Sequence, residues 1–369
     1  MDSIVALIAL SKIPKIGAVL GKQLIAYCGS PSAVFTESPR NLLKIPGIGP
    51  HHVQSISTCI PEETAIPHIE YHKKNGNKIT HYLSKDYPIR LQNFEDAPLL
   101  YYSKGDFDPH ASRTVAIVGT RNPTNYGNDQ CRKLVNDLHQ FDVQIISGLA
   151  YGIDAMAHKT ANELKLENVA VMGTGMDVIY PAVHRSLAQK ITKNGAIISE
   201  YPIKMRADKE NFPRRNRVIA QLADVIVVIE SAQKGGSLIT ALLGNQYFKD
   251  VFAFPGRIGD ERSEGCNTLI KQAQAHLLQS ARDIAYIMRW NNTGTNLTSQ
   301  GKQSQLFLDL SDREKQIMKC LEGQKDLTMD QIHHQVQLSL SELAGILLQL
   351  EFKGIVTALP GKRFRKSQL

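Results

Sequence analysis

The chain is sparing with the residues that staple, chelate or anchor. Five cysteines stand singly along its 369 residues (Cys28, Cys59, Cys131, Cys266, Cys320), with no CxxC among them. That odd, scattered set argues against a disulfide framework or a zinc site and fits a reducing compartment. Long hydrophobic runs are missing too. Ile4–Leu10 and Val225–Ile229 fall far short of the roughly 20 residues a membrane helix needs. No basic stretch precedes Ile4, so a secretory leader is not expected and the cytoplasm is the expected location, with no membrane partner. A P-loop is absent: Gly17-Ala18-Val19-Leu20-Gly21-Lys22-Gln23 has the wrong gap and no closing Ser or Thr. GxGxxG is absent after the first apolar run, which disfavours ordinary dinucleotide binding. No cofactor and no metal are expected.

What is present is a basic excess and ordinary globular composition. Lys and Arg exceed Asp and Glu by 8. Such a surplus suits a polyanion without proving one, so its placement matters more than its sum. The length predicts two to three domains.

Residues 1–70 carry short helical patterns around two similar turns, Ile13-Pro14-Lys15-Ile16-Gly17 and Ile45-Pro46-Gly47-Ile48-Gly49. Each opens a helix whose first N–H groups lack partners, the geometry of a helix-hairpin-helix (SAM-like) module. Plain helical packing is the alternative. Residues 71–290 alternate short β-branched runs with helical patterns. The runs are Val115–Val118, Val143–Ile146, Val169–Met172, Ala196–Ile198, Val225–Ile229 and Val251–Phe254. This alternation predicts an α/β fold, an extended Rossmann-like doubly wound parallel sheet. Residues 291–304 are polar and are expected to be a linker. Residues 305–369 predict three helices and a hairpin, a winged helix, with Ser311 and Glu314 as a capping box. Its third helix lacks Lys and Arg from Ser339 to Gln349, so protein docking or dimer contact competes with groove reading there.

Four glycine loops follow strands of the large block: Gly119-Thr120-Arg121 through Gly127, Ser147-Gly148 through Asp154, Gly173–Asp177, and Glu230 through Gly235-Gly236-Ser237. In an open parallel sheet such loops surround the ligand site, and each opens a helix that favours negative charge. Together they predict one phosphate-binding mouth. The segment Lys209-Glu210-Asn211-Phe212-Pro213-Arg214-Arg215-Asn216-Arg217 crowds three arginines at the positive end of a helix. That placement is unfavourable unless an anion or protein carboxylates offset it. Cations beside an aromatic suit single-stranded nucleic acid. The alternative is a structural arginine–carboxylate network with Phe212 in the core. Asp154 and His158 share a helix face without a third ligand, so a structural cap is expected there. No catalytic constellation emerges, and Ser147 and Ser237 have no recognisable base.

These motifs resemble the DprA/Smf DNA-processing proteins of bacteria. The resemblance runs in order from Val115–Arg121 with Tyr126-Gly127, through Ser147–Asp154, Gly173–Asp177 with Tyr180-Pro181, Ser199–Pro202 and Asn211–Ala220, to Gly235–Ala241 and Phe254-Pro255-Gly256. It implies a non-enzymatic homodimer that binds and protects single-stranded DNA and loads RecA onto it during natural transformation, with a single-strand-binding protein as a further candidate partner. It also implies a pocket built on Arg121, Lys209 and Phe212. Arg214 and Arg217 are expected to support that pocket, and the loop residues Gly119, Thr120, Ser147, Gly148, Gly235, Gly236 and Ser237 to offer phosphate contacts. Gln233-Lys234 departs from the small residues usual in the family's fourth loop. Two rivals remain. One is a nucleotide enzyme of the lysine-decarboxylase-like phosphoribohydrolase type, whose GGxGT and glutamate are not met at Gly235–Leu242. The other is a winged-helix regulator.

Overall fold

A computed structural model describes residues 1–290 and, further on, 311–321, 326–336, 338–352, 355–359 and 363–366. The expected linker 291–304, Gly354, the turn Pro360-Gly361 and Lys362 lie outside the described residues. The chain forms two compact units, Met1–Gly294 and Thr295–Leu369.

The first unit begins with helices α1 (Ser3–Lys12), α2 (Ala18–Cys28), α3 (Pro39–Leu42), α4 (Pro50–Thr58) and α5 (Pro61–Lys74). Both predicted hairpin turns form. Lys15 and Gly47 take the left-handed conformation, and Gly17 and Gly49 cap the helices that follow. Strands β1 (Lys78–His81) and β2 (Leu100–Gly105) flank the short helix α6 (Ile89–Gln92). Strand and helix then alternate: β3 (Thr114–Val118), α7 (Asn125–Leu138), β4 (Gln144–Ser147), α8 (Ile153–Glu163), β5 (Asn168–Val171), α9 (Arg185–Ile191) and β6 (Gly195–Ser199). They continue through α10 (Asn211–Leu222), β7 (Val225–Val228), α11 (Gly236–Gln246), β8 (Asp250–Ala253), α12 (Glu264–Lys271), β9 (His276–Leu277) and α13 (Ala281–Ile287).

The nine strands form one sheet in the order β1-β2-β6-β5-β4-β3-β7-β8-β9. From β6 to β9 all pairings are parallel; β2 pairs antiparallel with both β1 and β6. The six runs expected as strands are β3 to β8. All four residues of β4, β5 and β7 are buried, as strands covered on both faces require. Val115, Ile117 and Ile145 pack with Leu134, Ala157 and Ile284 of α7, α8 and α13 on one face. On the other, Ala116, Val118 and Ile146 pack with Val218 and Ile219 of α10 and Cys266 of α12. The sheet's order reverses at β3, between β4 and β7, and this places the switch point at the carboxyl ends of β3 and β7.

The N-terminal helices share a core with the sheet. Leu7, Leu24 and Ile45 pack in the same cluster as Leu100, Ala170 and Ile197. Helix α5 therefore runs through residue 70, where a domain boundary was expected, and leads directly into the edge strand. On α5, His72 stacks nearly parallel on Tyr102 with centroids 3.9 Å apart, and His68 lies 2.6 Å from the Lys12 amine of α1.

The second unit contains α14 (Asp312–Leu321), β10 (Leu327–Thr328), α15 (Met329–Val336), α16 (Leu340–Phe352), β11 (Val356–Leu359) and β12 (Arg363–Lys366), with strand order β10-β12-β11. It is the expected winged helix. Ser311 and Glu314 exchange hydrogen bonds as a capping box, and Ser339 and Glu342 repeat the device on α16.

Burial holds His68, His72 and His158 down to about 4, against an ordinary value of 6.5. The folded state keeps these rings neutral while the unfolded chain protonates them. Their contribution to stability is therefore complete above pH 6.5 and is lost as pH drops from 6.5 towards 4. Urea unfolding measured across that window should show the decline; a midpoint unchanged down to pH 4.5 would refute it.

Candidate nucleic-acid interface

At the switch point two loops meet and are locked by buried acids. Glu230, just past β7, accepts the Thr124 N–H at 2.8 Å and its hydroxyl at 2.7 Å, while the Glu230 carbonyl accepts the Thr120 N–H. Thr124 in turn caps α7. Gly127 leaves room for this carboxylate: a Cβ there would stand 2.6 Å from Glu230 Oε2. The loop is thus fixed from behind, and Arg121 projects from it into solvent.

The second loop interlocks with the first at Gly152. Its φ is +76°, and a Cβ would lie 2.3 Å from the Thr120 carbonyl, so glycine is required twice over. Asp154 accepts the Gly148 and Ala150 N–H groups at 3.2 and 3.4 Å. Burial pushes its carboxyl up, while the nearby Arg215 charge and these amides pull it back. His158, one turn on, bonds Asn168 within the core. Both are structural, as expected.

These bonds correct two expectations. The Ser147 hydroxyl is fully buried and donates to the Ile117 carbonyl at 2.6 Å. Gly148 is buried, its N–H held by Asp154 and its carbonyl by the Arg215 guanidinium. Neither offers a phosphate contact, because each polar group already has an internal partner.

Helix α10 begins at Asn211, and its arginines separate. Arg214 is exposed and lies 3.8 Å from Glu210 on the next turn. Arg215 is buried, donating to the Gly148 and Val171 carbonyls and, through Nε, to Asn216. Arg217 is paired with Glu200 in a largely buried ion pair and is absent from the cleft wall, contrary to its expected support of the pocket. Burial pushes the Glu200 carboxyl up, against the pull of Arg217. Protein groups therefore offset much of the charge at this helix start. Phe212 escapes the core: it is half-buried, with Arg121 Cζ 5.5 Å and Arg215 Cζ 6.0 Å from its ring centroid and Tyr180 at 5.6 Å.

A cleft of about 630 Å³ opens over this ring. The structure brings Gly119, Thr120, Arg121, Lys209, Phe212, Gly235, Gly236 and Ser237 to its wall, whereas Arg214 stands outside. The Ser237 hydroxyl donates to Ser231, so the fourth loop faces the cleft with the opening turn of α11, whose first amides have no partner inside the helix. Sequence reasoning gave Glu230 and Tyr180 no role and Arg215 only a share in the crowded helix start. All three stood inside quoted motifs, and only the contact geometry separates a buried arginine from its exposed neighbours. Among the described residues, no three His, Cys, Asp or Glu side chains gather as a metal site, and no helix is long and apolar enough to cross a membrane.

Fold and cleft together define a Rossmann-like protein with a cationic, aromatic-walled cleft at its switch point. Residues 78–289 match the family model described as DNA recombination-mediator protein A, and residues 304–362 match the DprA winged helix domain. The chain is 30% identical to Protein Smf of Synechocystis over 97% of its own length and 98% of that protein's. It is 37% identical to the DNA processing protein DprA of Bacillus subtilis over 54% of this chain and 68% of that one. Among solved structures, Streptococcus pneumoniae DNA processing protein A aligns with a TM-score of 0.65 at 28% identity, covering 79% of this chain and 99% of that one. That of Helicobacter pylori, solved to address its single-stranded DNA binding mode, aligns with a TM-score of 0.52 at 28% identity over 58% and 97%. The chain belongs to the DprA/Smf family of DNA processing proteins.

Arg215→Ala removes the donor from two buried carbonyls and the compensating charge beside Asp154. A stability loss of about 3–5 kcal/mol is expected in urea unfolding. Arg121→Ala, at the exposed tip of a pinned loop, should change stability by less than about 0.5 kcal/mol. Equal losses from the two substitutions would contradict this division.

Proposed function

We propose that this chain is a single-stranded DNA-binding recombination mediator. The observation that carries the reading is the pairing of Arg121 with the Phe212 face in an open cleft rimmed by Lys209. A strand threaded there has a π-face for a base and two exposed cations for phosphates. Stacking and charge serve any base, so sequence preference is weak. In this reading the protein protects incoming DNA during natural transformation and loads RecA onto it. It works in the cytoplasm as a homodimer, with a single-strand-binding protein as a further partner. The name of the Helicobacter structure, which concerns that protein's single-stranded DNA binding, supports the same substrate.

The role is binding without turnover. The loop at Gly235–Leu242 offers no acid in the place a phosphoribohydrolase needs one. Incubation with nucleoside monophosphates should release no free base; its appearance would establish the enzyme instead. The winged helix reads no groove in this account, since α16 has no Lys or Arg to meet phosphates.

Fluorescence anisotropy with labelled oligo-dT and the matching duplex tests the reading across a salt series. The single strand should bind more tightly. Arg121→Ala and Lys209→Ala should each lower the salt slope by about 0.7. Phe212→Ala should weaken binding by about 1–3 kcal/mol, roughly 5- to 150-fold. Equal binding of duplex, with none of these substitutions felt, would remove the cleft as the DNA site.

A further inference from the structure

The cleft does not end at Phe212. A smaller hollow opens from it, lined by Tyr151 and Tyr180 and sharing Arg121, Phe212 and Arg215 with the cleft wall. Tyr180 leans on Phe212 at 5.6 Å, and Tyr151 leans on His184 at 5.4 Å. Both tyrosines are large, flat and surface-lying, 46% and 43% exposed for Tyr151 and Tyr180. His184 is itself held, Nδ1 donating to the Leu149 carbonyl at 2.9 Å. Beside His184 lies a groove of about 440 Å³ between α8 and α9, lined in part by Lys159 and Lys190. Glu163 is the one carboxylate on that groove. Tyr180 touches Phe212, Tyr151 touches His184, and both tyrosines line the small hollow, so these residues lead from the DNA cleft towards a second hollow that carries two cations.

We infer that this is one continuous track, in which a strand leaving the cleft stacks bases on Tyr180 and Tyr151 and sets its phosphates against Lys159 and Lys190. The inference rests on the proposed single-strand binding and extends its footprint. A flexible strand needs alternating π-surfaces and cations at its own repeat, and single-strand sites on other folds span about 4–16 nucleotides by such alternation. The cleft holds the short end of that range; the groove lengthens it. Neither tyrosine has a core to fill at this exposure, and the lysines are fixed to helices on either side of the hollow rather than to a loose tail.

The test compares oligo-dT of about 5 and about 15 nucleotides, the two ends of that range. The proteins are wild type, Lys159→Gln/Lys190→Gln, Tyr151→Ala, Tyr151→Phe and Arg121→Ala, all as the full chain. Wild type should gain affinity with length. The double lysine variant should bind the short oligonucleotide like wild type and the long one roughly tenfold more weakly, with a salt slope lower by about 1.4 for the long one alone. Tyr151→Ala should lose the length gain and Tyr151→Phe keep it, since the ring and not the hydroxyl does the stacking. Arg121→Ala should weaken both lengths. If the lysine variant matches wild type on both oligonucleotides while Arg121→Ala loses both, the groove is no part of the path and the cleft assignment survives alone. If wild type binds neither length, single-strand binding itself fails and the track falls with it.

Discussion

A guanidinium buried at the carboxyl end of a parallel sheet persists where it finds acceptors and a balancing charge. Arg215 satisfies that condition through the Gly148 and Val171 carbonyls and the neighbouring Asp154 carboxylate. The arrangement ties α10 to the ends of β4 and β5. It also dictates glycine at 148, where a Cβ would stand 2.6 Å from the guanidinium nitrogens. Phe212 lies three residues earlier on the same helix, on the neighbouring face. Its ring is thereby aimed at the mouth of the sheet. Move Arg215, and the aromatic wall of the cleft moves with it.

The opposite wall depends on Glu230. By taking both polar groups of Thr124 it secures the first glycine loop and the cap of α7 together. One consequence reaches the chemistry. Most of the amides and hydroxyls that the glycine motifs seemed to offer to phosphate are used internally, at Ser147, Gly148, Ala150 and Ser237. Binding therefore falls to exposed side chains on rigid supports, Arg121, Lys209 and Phe212, with the first turn of α11 beside them. Such a site recognises charge and flatness, which every single strand has, and not a base edge.

The doubly wound core was legible because its strands are short apolar runs with β-branched residues between amphipathic helices. The missed strands lack that signature. β1 is Lys-Ile-Thr-His at the edge and β9 has two residues, while β2 has only the short run Leu100-Tyr101-Tyr102, buried on both faces, before Ser-Lys-Gly and lacks β-branched residues. Eight of the twelve nominated site residues line the cleft because glycine loops after parallel strands converge by topology. Ser147, Gly148 and Arg217 face inward instead, and Arg214 lies outside the cleft on the exposed side of α10. Adjacent residues on a helix or loop face opposite ways, and which arginine meets a carboxylate from Glu200 or Glu210 is decided by segments far off or a turn away. Composition along the segment carries no record of that choice.

Photo-crosslinking tests the central claim most directly. Oligo-dT carrying 5-iodouracil, which joins to an aromatic ring stacked on it, would be irradiated with the full chain and the adducts mapped by mass spectrometry. Adducts on Phe212, with Tyr180 beside it, are the predicted result. Adducts confined to the winged helix, residues 311–366, or to the hairpin around Pro50, with Phe212 unmodified, would contradict the account.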